Sequence, residues 1–498
     1  MKKTIRYVAA SIFAAAAVFS MCSCNSDTSK SGNKNGSKCE GYVVKSPVNK
    51  RYLALTTGET YIPIGMNICF PRFLTEEEAV FADFEKKFAE LSKNGGNYVR
   101  IWLSHPFFEI EDKKQGEYNP QKIARVDRLF DLADKYGIRM KLCFENFIAL
   151  EIKKSFFTFN SAPPFDKRIY FKPYGGSFET IDEFFTTQKG KDVYLARARV
   201  FAQRYADRKC VFAWEIWNES SCITVKNDRY NVLKKWNSEV FAELHKMFPK
   251  HLVVMCLQSY DNKRVRELAY PIMNVDPQND VTQIHNYLNE GHALPIAKEP
   301  TDIMCADAVN SMLKLTPDKP VLFAEVGAAS PNHSAGPSKY YETDTEGIFL
   351  HDQTFTPFFL GSAGNGMSWH WEYYVQKHNL WHVFGRFAKA IAGIDPVAED
   401  FKPHYFETAN MRVYLLDGKK TLVAYCRDKN NSWATELRDK IAAKPLVGEK
   451  ISLKKFVPAF EKASVYQPYA DRESEVAASD GAIVLPDFMR SAVMRIKK

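Results

Sequence analysis

The chain has 498 residues, of which 45% are hydrophobic, 26% charged and 14% aromatic, with a formal charge of +9. That length excludes a single small core and implies two or three units, one of them large enough to be a barrel of about 250 residues or more. The charge falls to +6 once Lys2, Lys3 and Arg6 are set aside, and with no dense Lys/Arg block it gives no nucleic-acid signature.

The first residues read as an export signal. Lys2, Lys3 and Arg6 precede an apolar, Ala-rich run from Tyr7 to Met21, which is short for a membrane span and is followed by small residues and cysteines. Cys22 and Cys24 both suit lipoprotein cleavage. Ser23 puts a small residue directly before Cys24, so Cys24 is the expected lipidated residue. This gives a signal peptide over 1–23 and a tether rich in Ser, Asn, Gly and Lys over 24–40. Lipid anchoring to the outer membrane, at the cell surface or its periplasmic face, is the expected location. Ten cysteines in an exported chain invite a disulfide reading. However, Cys69, Cys143 and Cys256 lie in or beside apolar runs, and Cys210 and Cys222 bracket one strand, so they are expected as free thiols.

From residue 41 the pattern alternates. Tyr42 to Ile68 reads as a hairpin leading into a first strand, Tyr61 to Ile68. A capping box, with Thr75 as N-cap and Glu78 three residues on, opens a helix whose apolar stripe is Phe81, Phe84, Phe88 and Leu91. Gly95-Gly96 ends it before a second strand, Asn97 to Leu103. Helices over Lys122–Tyr136, Lys191–Ala206 and Asp228–Phe248 separate further strands at Ile138–Phe144, Val211–Trp217, Leu252–Leu257, Val281–Tyr287, Pro320–Glu325 and Ala363–Trp369. Eight strands alternating with helices predict an α/β fold, a closed (β/α)8 TIM barrel over 41–394. Beyond Asp395 short strands separated by Asp-Gly and Asn-Asn turns predict a C-terminal antiparallel β-sandwich domain over 395–498.

In such a barrel the C-terminal strand ends carry function. Strand two carries Arg100, then Ser104 and His105; strand three ends at Glu145-Asn146; strand four ends at Asn218-Glu219. Strand six carries His285 and Tyr287, strand seven ends at Glu325, and strand eight carries Trp369, His370 and Trp371. Carboxylates, an amide, an arginine, histidines and aromatics on one face form the inventory of a sugar-cleaving site. Glycosidic hydrolysis needs one carboxyl group to protonate the leaving oxygen and another to meet the cationic centre. Glu219 and Glu325 sit on strands four and seven, across the mouth, with Arg100 and Tyr287 expected to keep Glu325 ionised and burial to keep Glu219 protonated. Glu215 is expected as a buried support, Glu145, His105 and Trp371 as cleft residues, and the aromatic stretch from Phe156 to Phe184 as a subsite wall. His378 and His382, four apart, lack a third ligand and are expected to pack.

These residues resemble the clan A retaining β-glycosidases, most nearly glycoside hydrolase family 5, over roughly Tyr61 to Gly393. The resemblance rests on Trp214 to Glu219, His285 to Tyr287 and Lys319 to Glu325. It implies Glu219 as acid/base, Glu325 as nucleophile, Asn218 for the sugar 2-hydroxyl, Arg100, His285 and Tyr287 as subsite partners, and Trp369 as stacking platform. Ser220 stands where most relatives carry Pro, and Glu145-Asn146 where many carry a histidine. The expected activity is endo-hydrolysis of β-mannan or β-glucan by a monomer, without cofactor or metal. The alternatives are an exo-acting β-glycosidase, an inactive glycan-binding surface lipoprotein, or a metal-dependent barrel hydrolase.

Overall fold

A computed structural model describes residues 37–147, 168–331 and 336–498, so the expected signal peptide, Cys22 and Cys24 lie outside the described residues. Residues 37–498 form one compact unit. Seven barrel strands run in order: β1 (Gly65–Asn67), β2 (Tyr98–Trp102), β3 (Arg139–Cys143), β4 (Val211–Glu215), β5 (Leu252–Val254), β6 (Thr282–Leu288) and β7 (Val321–Ala328). The parallel ladders β1–β5 and β6–β7 account for two arcs of the barrel.

The remaining seams are closed by individual hydrogen bonds. Between β5 and β6, Asp280 Oδ2 accepts the Val253 N–H at 2.8 Å, and Gln283 Nε2 donates to the Met255 carbonyl at 2.8 Å. The eighth strand expected at 363–369 is not a regular strand. It is an extended segment in which Ala363, Met367 and Trp369 donate to β7 carbonyls, and Ser368 accepts the Asn67 N–H at 3.0 Å. Glycines at 364 and 366 permit the close approach of this segment to its neighbours, because a Cβ at either position would meet backbone carbonyl oxygen closer than 3.0 Å.

Helix boundaries follow the expected stripe more closely than the expected caps. The first helix is Glu77–Lys93, burying Phe81, Phe84, Phe88 and Leu91, but Glu76 occupies its N-cap with no side-chain bond, so the capping box at Thr75 does not form. In the helix Pro120–Tyr136 the unforeseen cap is Asn119, whose Oδ1 accepts the Gln121 N–H at 3.0 Å, and Gly137 terminates it at φ 69°. The first expected strand divides: Thr60–Tyr61 joins a three-stranded hairpin sheet and only Gly65–Asn67 enters the barrel.

The C-terminal region forms eight strands. Its main sheet has six antiparallel strands in the order Lys402–Glu407, Met411–Asp417, Thr421–Asp428, Ser491–Lys497, Lys462–Gln467 and Arg472–Ala477, with a two-stranded ribbon, Lys450–Ser452 and Ala482–Val484, beside it. The alternation along each strand assigns the faces. Met411, Val413, Leu415, Ala424 and Met494 share a core with Ile451 and Ile483 of the ribbon, whereas Tyr414, Leu416, Val423, Tyr425 and Val493 join the barrel's core.

Two buried ion pairs fasten that second face. Arg412 and Tyr414 bind Asp302 of the helix Thr301–Leu315, and Arg427 and Tyr425 bind Asp352 of the helix Ile348–Phe359 at 2.8–3.1 Å. Removing one partner of a buried pair strands a charge, so Asp352→Ala is expected to cost roughly 3–5 kcal/mol. Urea unfolding checks this, and one cooperative transition spanning barrel and β-domain is expected.

Candidate active site

The catalytic face is built on a buried ionic layer. Arg100 of β2 is fully buried; its Nε and Nη2 donate to the Glu215 carboxylate at 2.7 and 3.0 Å, and Nη2 also donates to Asn218 Oδ1 at 2.8 Å. Its Nη1 donates to Glu325 Oε1. Glu215 also lies 3.7 Å from Lys141 Nζ, so it is the buried support its position implied. Burial raises a carboxyl, but the neighbouring Arg100 and Lys141 charges leave Glu215 below its ordinary range.

A β-bulge aims Glu325. The register of β7 against β6 slips between Phe323 and Glu325, leaving Ala324 unpaired and setting Glu325 beside His285. Asn67 Nδ2 donates to the Ala324 carbonyl at 3.1 Å and so ties down the bulge. Tyr287 OH donates to Glu325 Oε2 at 2.7 Å. Gly327 lets Tyr287 and His370 pack closely here, because a Cβ would lie 3.0 Å from the Tyr287 ring and from His370 Nδ1.

Glu219 faces Glu325 across this floor. Its backbone is left-handed (φ 50°, ψ 53°), a conformation that costs a non-glycine residue on the order of 1 kcal/mol or more. His285 Nδ1 lies 3.0 Å from Glu219 Oε1 and 3.3 Å from Glu325 Oε2, and one oxygen of each carboxyl group lies within 4.8 Å of the other. Burial and the Arg100 charge hold His285 well below the usual imidazole range, so it is neutral. Burial also raises both carboxyl groups. The Glu325 charge lifts Glu219 further, whereas Arg100 and the Tyr287 hydroxyl pull Glu325 back toward ionisation.

That asymmetry has a consequence for stability. Because the folded Glu219 holds its proton more tightly than the unfolded chain does, stability falls as pH rises from about 4.3, the unfolded carboxyl value, to the raised folded value. Glu219→Gln removes the titration and is expected to flatten this slope in thermal melts taken across that window.

The cavity above these groups has a volume of about 470 Å³ and is lined by Asn218, Glu219, Tyr287, Glu325 and Trp369. The size is typical of a ligand cleft. Trp369 keeps 8% of its surface exposed and contacts the Trp102 ring at 5.2 Å.

Three expected cleft residues lie elsewhere. Glu145 is buried behind β3, its Oε1 accepting from Arg197 Nη1 at 2.9 Å, because Arg197 and Glu109 form a buried ion pair there that draws it in. His105 stacks on Phe70 at 4.9 Å and accepts the Phe107 N–H at 3.2 Å; burial, then the Arg72 and Lys122 charges, push it down to about 3, so it is a neutral packing group. Trp371 is fully buried behind Trp369, edge-on at 5.1 Å, with the Arg72 guanidinium 4.9 Å from its ring. Of the aromatic stretch expected as a wall, residues 156–167 lie outside the described residues, and Phe171, Phe178 and Phe184 are fully buried core. His378 Nε2 lies 2.7 Å from the Tyr341 carbonyl.

Several lining residues were not anticipated. Trp102, the last residue of β2, was visible to the same strand-end rule. Gln258, Ser259, Asp261 and Asn262 follow β5, a strand whose end carries no catalytic residue type to draw attention. His292 follows β6 on a turn that begins at Asn289, whose Oδ1 accepts the Gly291 N–H at 3.0 Å.

A closed parallel barrel with two opposed carboxyl groups at its C-terminal mouth is the architecture of a clan of sugar-active barrels. The family model of Cellulase (glycosyl hydrolase family 5) matches residues 66–348, more than half of the chain, and the chain belongs to that family. Among solved structures, a glycoside hydrolase family 5 protein from Bacteroides vulgatus aligns over 92% of this chain and 94% of its own, with a TM-score of 0.58 and 13% identity. The barrel and the β-domain are thus both within the shared fold. Among curated relatives, the probable mannan endo-1,4-beta-mannosidase F of Aspergillus oryzae is 27% identical over 212 residues, 40% of this chain and 41% of the relative. Mannan endo-1,4-beta-mannosidase F of Aspergillus clavatus is 26% identical over 210 residues, 39% of this chain and 43% of the relative. The chain therefore spans about two fifths of the length of these relatives.

Proposed function

We propose that this protein is a retaining β-glycoside hydrolase acting on the interior of β-1,4-mannan. The observation that carries the mechanism is the approach of Glu219 and Glu325 to within 4.8 Å, oxygen to oxygen. Retaining pairs stand about 5–5.5 Å apart, and inverting pairs, which must admit a water, about 6.5–9.5 Å.

Glu325, drawn toward ionisation by Arg100 and Tyr287, attacks the anomeric carbon as the bond to the leaving oxygen breaks. Glu219, kept protonated, gives that oxygen its proton. In the second half Glu219 takes a proton from water, the water oxygen bonds to the anomeric carbon, and Glu325 departs. Asn218 is fixed by Arg100 and by its N–H to the Glu145 carbonyl at 2.7 Å, which presents its amide to a sugar hydroxyl, and Trp369 offers a ring face to the sugar's C–H surface.

Mannan as substrate is supported by the activity named for the curated relatives. Incubation with mannan, β-glucan, xylan and galactan, with product sizes and the anomer first released followed by NMR, tests the proposal. Short manno-oligosaccharides released early with β-configuration are expected; an α-product first, or no mannan cleavage, would overturn it. Export as a lipoprotein is proposed on the basic start, the apolar run and Cys24. Cys24→Ala is expected to move the protein out of the membrane fraction.

A further inference from the structure

The sulfur of Cys256 lies at the junction of the catalytic groups. Cys256 is two residues past β5 and fully buried. Its Sγ accepts the Glu219 N–H at 3.1 Å and an N–H of Arg100 Nη2 at 3.5 Å. Its own proton has three acceptors in reach, the Trp217 carbonyl at 3.4 Å, Asn218 Oδ1 at 3.9 Å and the Glu215 carboxylate. Its backbone carbonyl takes the next amide in line, the Ser220 N–H at 3.2 Å. One residue of β5's end thus receives both amides of the Glu219–Ser220 turn.

That grip matters because Glu219 holds the left-handed backbone conformation that L side chains rarely adopt. A strained conformation persists where its surroundings over-determine it, and here the acceptor for the strained residue's amide is the sulfur. Burial keeps the thiol protonated, so it acts as a neutral acceptor beside the Glu215 and Arg100 charges.

We propose that Cys256 is a positioning residue: its sulfur holds Glu219 in the left-handed turn that aims the carboxyl group at the scissile oxygen. This rests on the acid/base role given to Glu219 above. The groups that face Glu219 are His285, Glu325, Arg100, Asp261 and Cys222, and all of them remain in the variants that test the idea.

Valine is slightly larger than cysteine and offers no acceptor, while serine keeps an acceptor on a shorter bond. With a manno-oligosaccharide, Cys256→Val is expected to lower kcat about tenfold with KM little changed, as a displaced catalytic group does. Its basic pH limb should move down, because a Glu219 swung away from Glu325 loses both burial and the like charge that raise it. Cys256→Ser should recover most of kcat and the limb. Equal losses of melting temperature in both variants, with kcat and the limb unmoved, would overturn the proposal. Crystal structures of Cys256→Val decide it independently of turnover: Glu219 leaving the left-handed region supports it, and Glu219 unmoved overturns it. Should the unaltered protein cleave no β-glycoside, the functional reading fails while that structural result still stands or falls by itself.

Discussion

Replacing Glu325 by alanine is expected to lower kcat by at least about 10⁴-fold while leaving the fold intact. The loss has two sources. No carboxylate remains to form the glycosyl ester, and Arg100 Nη1 and Tyr287 OH, which now serve that carboxylate, are left facing an empty position. The side chain touches the cavity rather than the hydrophobic core, so a small change in melting temperature is expected. Sodium azide is small enough to enter the vacated space and attack the anomeric carbon from the same face. Partial recovery of rate on an activated aryl β-glycoside, with an α-glycosyl azide as product, checks the assignment. Recovery with a β-azide would instead place the anion on the side of Glu219.

Arg100→Met should be the most damaging single change to stability at the site, by roughly 3–5 kcal/mol. Arg100 is the sole hydrogen-bonded cation for Glu215 among the described residues, because Lys141 Nζ stands 3.7 Å off and donates to Gln283 instead. Removing the guanidinium takes both ionic hydrogen bonds from a fully buried carboxylate, and frees Asn218 and Glu325 from a common anchor. Activity should fall with stability. The double variant Arg100→Met with Glu215→Gln restores part of the stability but none of the activity, because it cancels the stranded charge without rebuilding the anchor. Denaturant midpoints and kcat/KM for the two single variants and the double variant measure both effects.

How far the site was legible in the sequence depends on how local its causes are. Asn218-Glu219 and Glu325 each close an apolar run, and the rule that strand ends face the working surface was enough to bring them together. Trp369 was found in the same way. Glu145, His105 and Trp371 also stand after strands, yet none reaches the cavity. What diverted them is non-local: Arg197 on the helix Gln188–Tyr205 draws in Glu145, and the Phe70 ring covers His105. Spacing along one strand carries no information about a cation arriving from a helix 52 residues away.

The same division runs through the fold. Period-two and three-to-four patterns set strand against helix, the order of units set the barrel, and the alternation after residue 411 set which side chains of the terminal sheet point together. Those are properties of neighbouring residues, and a chain carries them wherever it goes. Tertiary contact alone decided that the eighth segment closes the barrel through single hydrogen bonds, that a bulge at Ala324 turns Glu325 toward His285, and that Glu219 stays in a left-handed turn beneath a cysteine sulfur. Each of these sets a strained or irregular backbone against partners distant in sequence, and such a balance exists only once the partners have met.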